Sequence, residues 1–250
     1  MKTYKLLIEM AKQQANYFCL LDPDNLSGEE AREYACKSEE NGADGILVGG
    51  SLMYNDCFED NLKIIKGAVK KIPVLIFPGL FNFVSRYADA LLLLSVVSSR
   101  NPQMLIGEQV RAAPLIKKYG VEAIGTGYIL IDGGNNSSVQ YMSHSMPIPH
   151  AKDDIAAVHA LAAQYMGMRI IYMDAGSGAV NPISNSMISQ VKSDINIPLF
   201  VGGGIRKPDI AAQKAAAGAD FVVTGNVLEE GFDTRLIREF AQAIHHSRRI

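Results

Sequence analysis

One short pattern occurs twice, far apart in the chain, and it limits the folds open to the chain more than any other feature. Gly42-Ala43-Asp44-Gly45-Ile46-Leu47-Val48-Gly49-Gly50-Ser51 returns as Gly218-Ala219-Asp220-Phe221-Val222-Val223-Thr224-Gly225-Asn226. Gly120-Val121-Glu122-Ala123-Ile124-Gly125-Thr126-Gly127 is a weaker echo. Each copy reads as a helix stopped by glycine, a short apolar strand, and a glycine turn. A recurring unit of this kind builds either a closed (β/α)₈ barrel or an open doubly wound sheet. The number of units decides between them.

The rest of the chain supplies that number. Apolar positions Leu6, Leu7, Met10 and Ala11 have helical spacing and predict a leading helix from about Tyr4 to Gln14, over the closed end of a barrel. Tyr17 to Leu21 reads as the first strand, stopped by Asp22-Pro23-Asp24. Ser27 is an N-cap with Glu30 at the capping-box position, so a helix runs to about Glu40. Further strands are expected at Pro73–Phe77, Ala90–Ser95, Ala123–Ile131, Met168–Asp174 and from Pro198. Helices are expected at Phe58–Lys71, Met104–Tyr119, Asp153–Gly167, Ser184–Lys192 and Asp233–His246, and an alanine-rich one after Arg206. Eight strands with helices between them make a single TIM barrel, one domain over residues 1–250. Gly79 to Asp89 is barely long enough for a crossover helix, so the third helix should be missing or replaced by an irregular segment. Arg86-Tyr87 either lines the site or braces that segment, with the brace the expected role. The long loop after Ile131, with Val139, Tyr141 and Met142, is functional or intersubunit by its length.

A net charge of −2 argues against bulk electrostatic binding of nucleic acid, so any anion site must be local. Cys19, Cys36 and Cys57 show neither disulfide nor metal-ligand spacing, as expected of a cytoplasmic protein. The longest apolar run, Ala88 to Val97, contains Asp89 and fits a buried strand, not a membrane span. A lipid would therefore be handled from the membrane surface or in a pocket.

Barrel chemistry sits at the C-terminal ends of the strands, and the loops after strands seven and eight commonly hold phosphate. Gly176-Ser177-Gly178, Gly202-Gly203-Gly204 and Gly225-Asn226 would gather backbone N–H groups at one side of the rim, a cradle for a phosphate monoester. The same glycines also suit plain tight turns. Asp22 and Ser51, across the rim, have the hard oxygens that Mg²⁺ takes alongside substrate phosphates. Asp22 also suits a turn cap before Pro23. Asp174 suits a general base for a hydroxyl beside the cradle, or a carboxylate that only holds loop amides. No histidine sits at a strand end. If the third helix is absent, a groove opens on that side, and Phe77, Phe81, Phe83, Val84, Tyr87, Val96 and Tyr128 could line it for a hydrocarbon chain; taken singly, each suits ordinary core packing better. A sugar-phosphate isomerase or lyase, or a non-catalytic phosphate binder, is the alternative.

These motifs, in this order, resemble the geranylgeranylglyceryl phosphate synthase family over nearly the whole chain. The resemblance rests on Leu21-Asp22-Pro23-Asp24, Gly49-Gly50-Ser51, Phe77-Pro78-Gly79, Ser85-Arg86-Tyr87-Ala88-Asp89-Ala90, Tyr172-Met173-Asp174-Ala175-Gly176-Ser177-Gly178, Val201-Gly202-Gly203-Gly204-Ile205-Arg206 and Thr224-Gly225-Asn226. It is nearest to the branch shared by archaea and some bacteria. It implies a modified TIM barrel lacking the third helix. It also implies transfer of a prenyl group, geranylgeranyl foremost, from its diphosphate to the 3-hydroxyl of sn-glycerol 1-phosphate. On the family pattern Asp22 and Ser51 bind Mg²⁺. Tyr172, Met173, Asp174, Ala175, Gly176, Ser177, Gly178, Gly203, Gly204, Gly225 and Asn226 hold glycerol 1-phosphate, and Asp174 and Tyr172 are catalytic. The acid is usually Glu in the family and is one methylene shorter here. The resemblance further implies a dimer-based homo-oligomer, a hexamer foremost, with peripheral contact to membrane.

Overall fold

The computed structural model describes residues 2–50, 52, 54–79, 82–225 and 232–247. Eight parallel strands close into a barrel in chain order: β1 (Asn16–Leu21), β2 (Gly45–Val48), β3 (Val74–Ile76), β4 (Ala90–Val96), β5 (Glu122–Leu130), β6 (Ile170–Asp174), β7 (Leu199–Gly202) and β8 (Phe221–Thr224). β8 returns to β1, with Val223 opposite Phe18. Around it lie α1 (Lys2–Gln13), α2 (Gly28–Glu40), α3 (Phe58–Ala68), α4 (Glu108–Tyr119), α5 (Ser138–Ser143), α6 (Asp153–Tyr165), α7 (Asn185–Asp194), α8 (Pro208–Ala216) and α9 (Thr234–His245). The Ser27–Glu30 capping box opens α2 as expected.

The repeated Gly-Ala-Asp pattern has a structural meaning at the N-terminal rim. Gly42, Gly120 and Gly218 all have positive φ, the conformation that ends a helix and turns the chain into the next strand. The acid that follows then clamps the neighbouring strand. Asp44 Oδ2 accepts the N–H of Tyr17 in β1, and Asp220 Oδ2 that of Leu199 in β7, each at 2.8 Å. Asp89, just before β4, does the same for Val74 in β3 at 2.8 Å. Each carboxylate also meets a basic group: His245 at 2.7 Å, Lys192 at 2.6 Å and Lys66 at 2.5 Å respectively. Glu122 instead receives the N–H groups of Thr3 and Tyr4 at 2.9 and 3.1 Å, which seats α1 across this end. Leu7 of α1 is buried against the same interior cluster as Phe18, Leu47 and Leu75. This rim is thus committed to stability.

Aromatic rings share the barrel interior with aliphatic side chains such as Leu47, Leu75, Leu92 and Ile124. Phe200 stacks on Phe221 at 4.2 Å and on Tyr172 at 5.8 Å, and Phe18 meets Phe200 edge-on. Between β3 and β4 the described residues form only turns and irregular chain, so the expected loss of the third helix is observed. Arg86 lies over the Tyr119 ring at 5.2 Å, and Lys63 over Tyr87 at 5.5 Å, tying this segment to α4 and α3. The brace reading of Arg86-Tyr87 holds.

Two local features depart from expectation. A π-helical turn, Gln103–Gly107, precedes α4 where a regular helix was expected from Met104. The long loop after β5 contains α5, whose N-cap is the hydroxyl of Ser137 accepting from Gln140 N–H. No helix among the described residues is long and apolar enough to cross a membrane.

Candidate active site

The β6, β7 and β5 loops press against one another at the C-terminal rim. Ala175 N–H donates to Gly202 O at 3.1 Å, and Val180 and Asn181 N–H both donate to Gly133 O at 2.9 Å. Arg206 donates to Ala179 O at 2.8 Å and Gly178 O at 3.3 Å, lacing the β7 loop to the β6 loop. Gly203 has φ +88°, and a Cβ there would lie 2.7 Å from Asp174 Oδ1 and 2.8 Å from Ala175 N. Only glycine allows this approach. Among the described residues, the N–H groups of Gly178, Gly203 and Gly204 have no acceptor. The three residues line a common cavity, an arrangement suited to a small anion.

Asp174 ends β6 inside this ring. Its Oδ2 accepts from Tyr128 Oη at 2.7 Å and its Oδ1 from Gly176 N–H at 2.8 Å. Burial pushes the carboxyl above its ordinary range, against the downward pull of these two hydrogen bonds. Tyr128 and Tyr172 are pushed well up by burial and then by the Asp174 charge, so both remain phenols. Tyr172 points inward, and a Cβ on Gly202 would meet its Oη at 2.9 Å. Met173 alternates to the opposite face and packs with Ile129 and Val201 in the layer under the helices. It can touch a ligand only through its backbone. Ala175 is buried in that layer too.

Across the mouth, Asp22 caps the short turn Pro23–Asn25, its Oδ1 accepting from Asp24 N–H at 3.0 Å. Both readings of Asp22 are therefore compatible: it caps the turn through one oxygen and lines the cavity. Its Oδ2 faces Gly50, where a Cβ would come within 2.5 Å. Burial raises its pKa, while the Asp24 N–H lowers it. Asp24 itself is spent on the β2–α3 loop, accepting from Tyr54 and Asn55 N–H. No group of three or more acidic, histidine or cysteine side chains among the described residues is arranged to enclose a metal. A single hard oxygen beside an anion site matches Mg²⁺ that keeps waters and shares phosphate oxygens. Ser51, Asn226 and Phe81 lie outside the described residues.

One cavity of about 420 Å³ joins these parts. It begins at Gly178, Gly203, Gly204 and Gly225, passes Tyr172 and Asp174, and reaches Asp22 and Gly50. It then continues along Phe77, Phe83, Val84, Leu91, Leu93 and Met104 on the flank that lacks a helix. Val96 and Tyr128 line it as expected, and Val139 and Met142, around α5, do so as well. Tyr87 is turned toward Lys63 and is not part of the lining. The Tyr128–Asp174 bond was not anticipated. Its signal was the β5–β6 register, which sets Tyr128 opposite Tyr172.

Known proteins are similar to this chain in sequence and fold. Residues 8–244 match the PcrB family. The chain is 46% identical to geranylgeranylglyceryl phosphate synthase of Chitinophaga pinensis over 245 residues, 98% of this chain and 96% of that protein. It is 42% identical to the enzyme of the same name from Methanosphaera stadtmanae, covering 96% and 98% of the two chains. The crystal structure of (S)-3-O-geranylgeranylglyceryl phosphate synthase from Thermoplasma acidophilum, in complex with sn-glycerol-1-phosphate, superposes with a TM-score of 0.93 at 31% identity, over 98% of this chain and 99% of that one. The Thermoplasma volcanium structure gives 0.92 at 35%, over the full length of both. Tryptophan synthase alpha subunit from Legionella pneumophila, at 0.56 and 17% over 97% of each chain, shares the fold.

Proposed function

The chain belongs to the PcrB family of geranylgeranylglyceryl phosphate synthases, and from that premise we propose how its own residues carry out prenyl transfer. The protein is a prenyltransferase that joins the 3-hydroxyl of sn-glycerol 1-phosphate to a long prenyl group, geranylgeranyl foremost. The observation that carries this reading is the single cavity running from a ring of unpaired amides, past a buried carboxylate, into an apolar groove. A polar phosphate, a reacting hydroxyl and a hydrocarbon tail each find a matching stretch of it.

The N–H groups of Gly178, Gly203 and Gly204, with those of Gly225 and Asn226, hold the phosphate of glycerol 1-phosphate. Tyr172 and Ser177 flank the glycerol. The 3-hydroxyl oxygen attacks C1 of the prenyl diphosphate, the C1–O bond breaks, and its electron pair leaves on the diphosphate. Asp174 takes the hydroxyl proton. Its raised pKa suits it to this step better than an ordinary exposed carboxylate. Asp22 and Ser51 would hold Mg²⁺, which would supply positive charge to a departing diphosphate when bound. Phe77, Phe83 and Leu93 keep water from the developing allyl cation.

The resemblance implies a homo-oligomer, a hexamer foremost, and Tyr141 and Met146, 78% and 85% exposed on the loop around α5, are apolar groups such an assembly would cover. The three free cysteines suit a reducing cytoplasm. The deciding experiment incubates the protein with labelled sn-glycerol 1-phosphate and prenyl diphosphates of graded length. An ether product is expected with the long donors; no product at any length would overturn the assignment.

A further inference from the structure

We propose that Tyr128 is a positioning residue for the transfer: its hydroxyl fixes the plane of the Asp174 carboxylate and keeps it ionised. The inference rests on the reading of Asp174 as the base. Asp174 lies in a buried site where neutralisation is favoured, yet a base must carry charge to accept a proton. Two donors oppose burial, Tyr128 Oη at 2.7 Å on Oδ2 and Gly176 N–H at 2.8 Å on Oδ1. They approach different oxygens, so together they fix the carboxylate's rotation as well as its charge.

Tyr128 is itself held firmly. Its ring stacks on Tyr172 at 5.8 Å and tilts against Phe77 at 6.2 Å, and the residue is 2% exposed. Burial, and then the charge on Asp174, keep its phenol protonated, so it donates over the whole working range. The other groups facing Asp174 do not replace it. Tyr172, on the same strand, forms no hydrogen bond to it. β7 presents only Gly202 and Gly203 here, and Arg206 is engaged with the carbonyls of Gly178 and Ala179. The amide of Gly176 belongs to the chain and cannot be varied by side chain. Among the described residues, Tyr128 is therefore the side chain that opposes neutralisation of the base.

The test is the pH profile of kcat, with both substrates saturating, for wild type and Tyr128→Phe. Phenylalanine keeps the stack and removes one hydrogen bond to a charged group. The acid limb should move up by about one to two pH units. Glycerol phosphate affinity at high pH should change by less than about threefold. Incorporation of trifluorotyrosine at 128, a stronger donor, should move the limb down. A limb that stays in place in both variants, or a Tyr128→Phe loss that is equal at every pH, overturns the proposal. Asp174→Asn separates the two readings: full turnover in that variant removes the base assignment itself, and the role of Tyr128 falls with it.

Discussion

Replacing Gly203 by alanine tests the cradle at its tightest point. The residue has φ +88°, where an L-side chain costs about 1–2 kcal/mol. The new methyl would lie 2.7 Å from Asp174 Oδ1, 2.8 Å from Ala175 N and 2.9 Å from Gly176 N. Comfortable contact needs about 3.5 Å, so the β6 turn must retreat by roughly 0.8 Å. Two of the three crowded atoms are backbone, so no side-chain rotation relieves the clash. The retreat displaces Asp174 and widens the ring of amides together. Displacements of about 1 Å at a reacting group cost on the order of 100-fold. We expect kcat/KM for glycerol phosphate to fall by about that factor, with kcat lowered and KM raised. The conformational penalty should lower Tm by about 2–8 °C. Steady-state rates with glycerol phosphate varied, calorimetric titration and thermal melts measure these three effects. Gly67→Ala in α3 is the control, since nothing lies within 4 Å of the added methyl; it should leave kinetics unchanged. A Gly203→Ala enzyme within threefold of wild type would refute the claim that the β6 and β7 turns form one rigid cradle.

Asp174 must be ionised to accept a proton, so activity should vanish as pH falls through its pKa. Because burial raises that pKa, the loss should occur at a pH above about 3.9, measurable as the acid limb of kcat/KM. Chelating divalent cations should stop transfer while calorimetric binding of glycerol phosphate persists, and Asp22→Asn should raise the Mg²⁺ concentration needed for half-maximal rate. At the opposite rim, Lys192→Met removes the ammonium paired at 2.6 Å with the 2%-exposed Asp220 and should cost about 1–3 kcal/mol in denaturant melts. Lys12→Met breaks only an exposed pair with Glu9 and should cost less than about 0.5 kcal/mol.

Much of this architecture was legible because its signals are local. A glycine that ends a helix, an N-cap three residues before its glutamate, and a gap too short for a crossover each involve near neighbours in the chain. The glycine rim was legible for the same reason, since each turn announces itself. The features that escaped need residues far apart. Tyr128 and Asp174 are separated by 46 positions and meet only once β5 and β6 are in register. The acids Asp44 and Asp220 were visible as a repeat, but their targets are amides of other strands, and Asp89, which makes the same clamp, lies outside the repeat. The helix α5 spans six residues, too few for a periodic pattern to emerge. Met173 lies in the motif, yet strand alternation turns its side chain away from the cavity.

The segment between β3 and β4 has a final consequence. A barrel ringed completely by helices is a cup, and whatever enters must come and go over its lip. Here the wall is slotted along one flank. On the reading proposed above, the charged head of the lipid lifts from the lip while the tail slides out sideways through the slot. Neither end has to follow the other through a common opening, so a molecule much longer than the barrel is wide need not thread the lip.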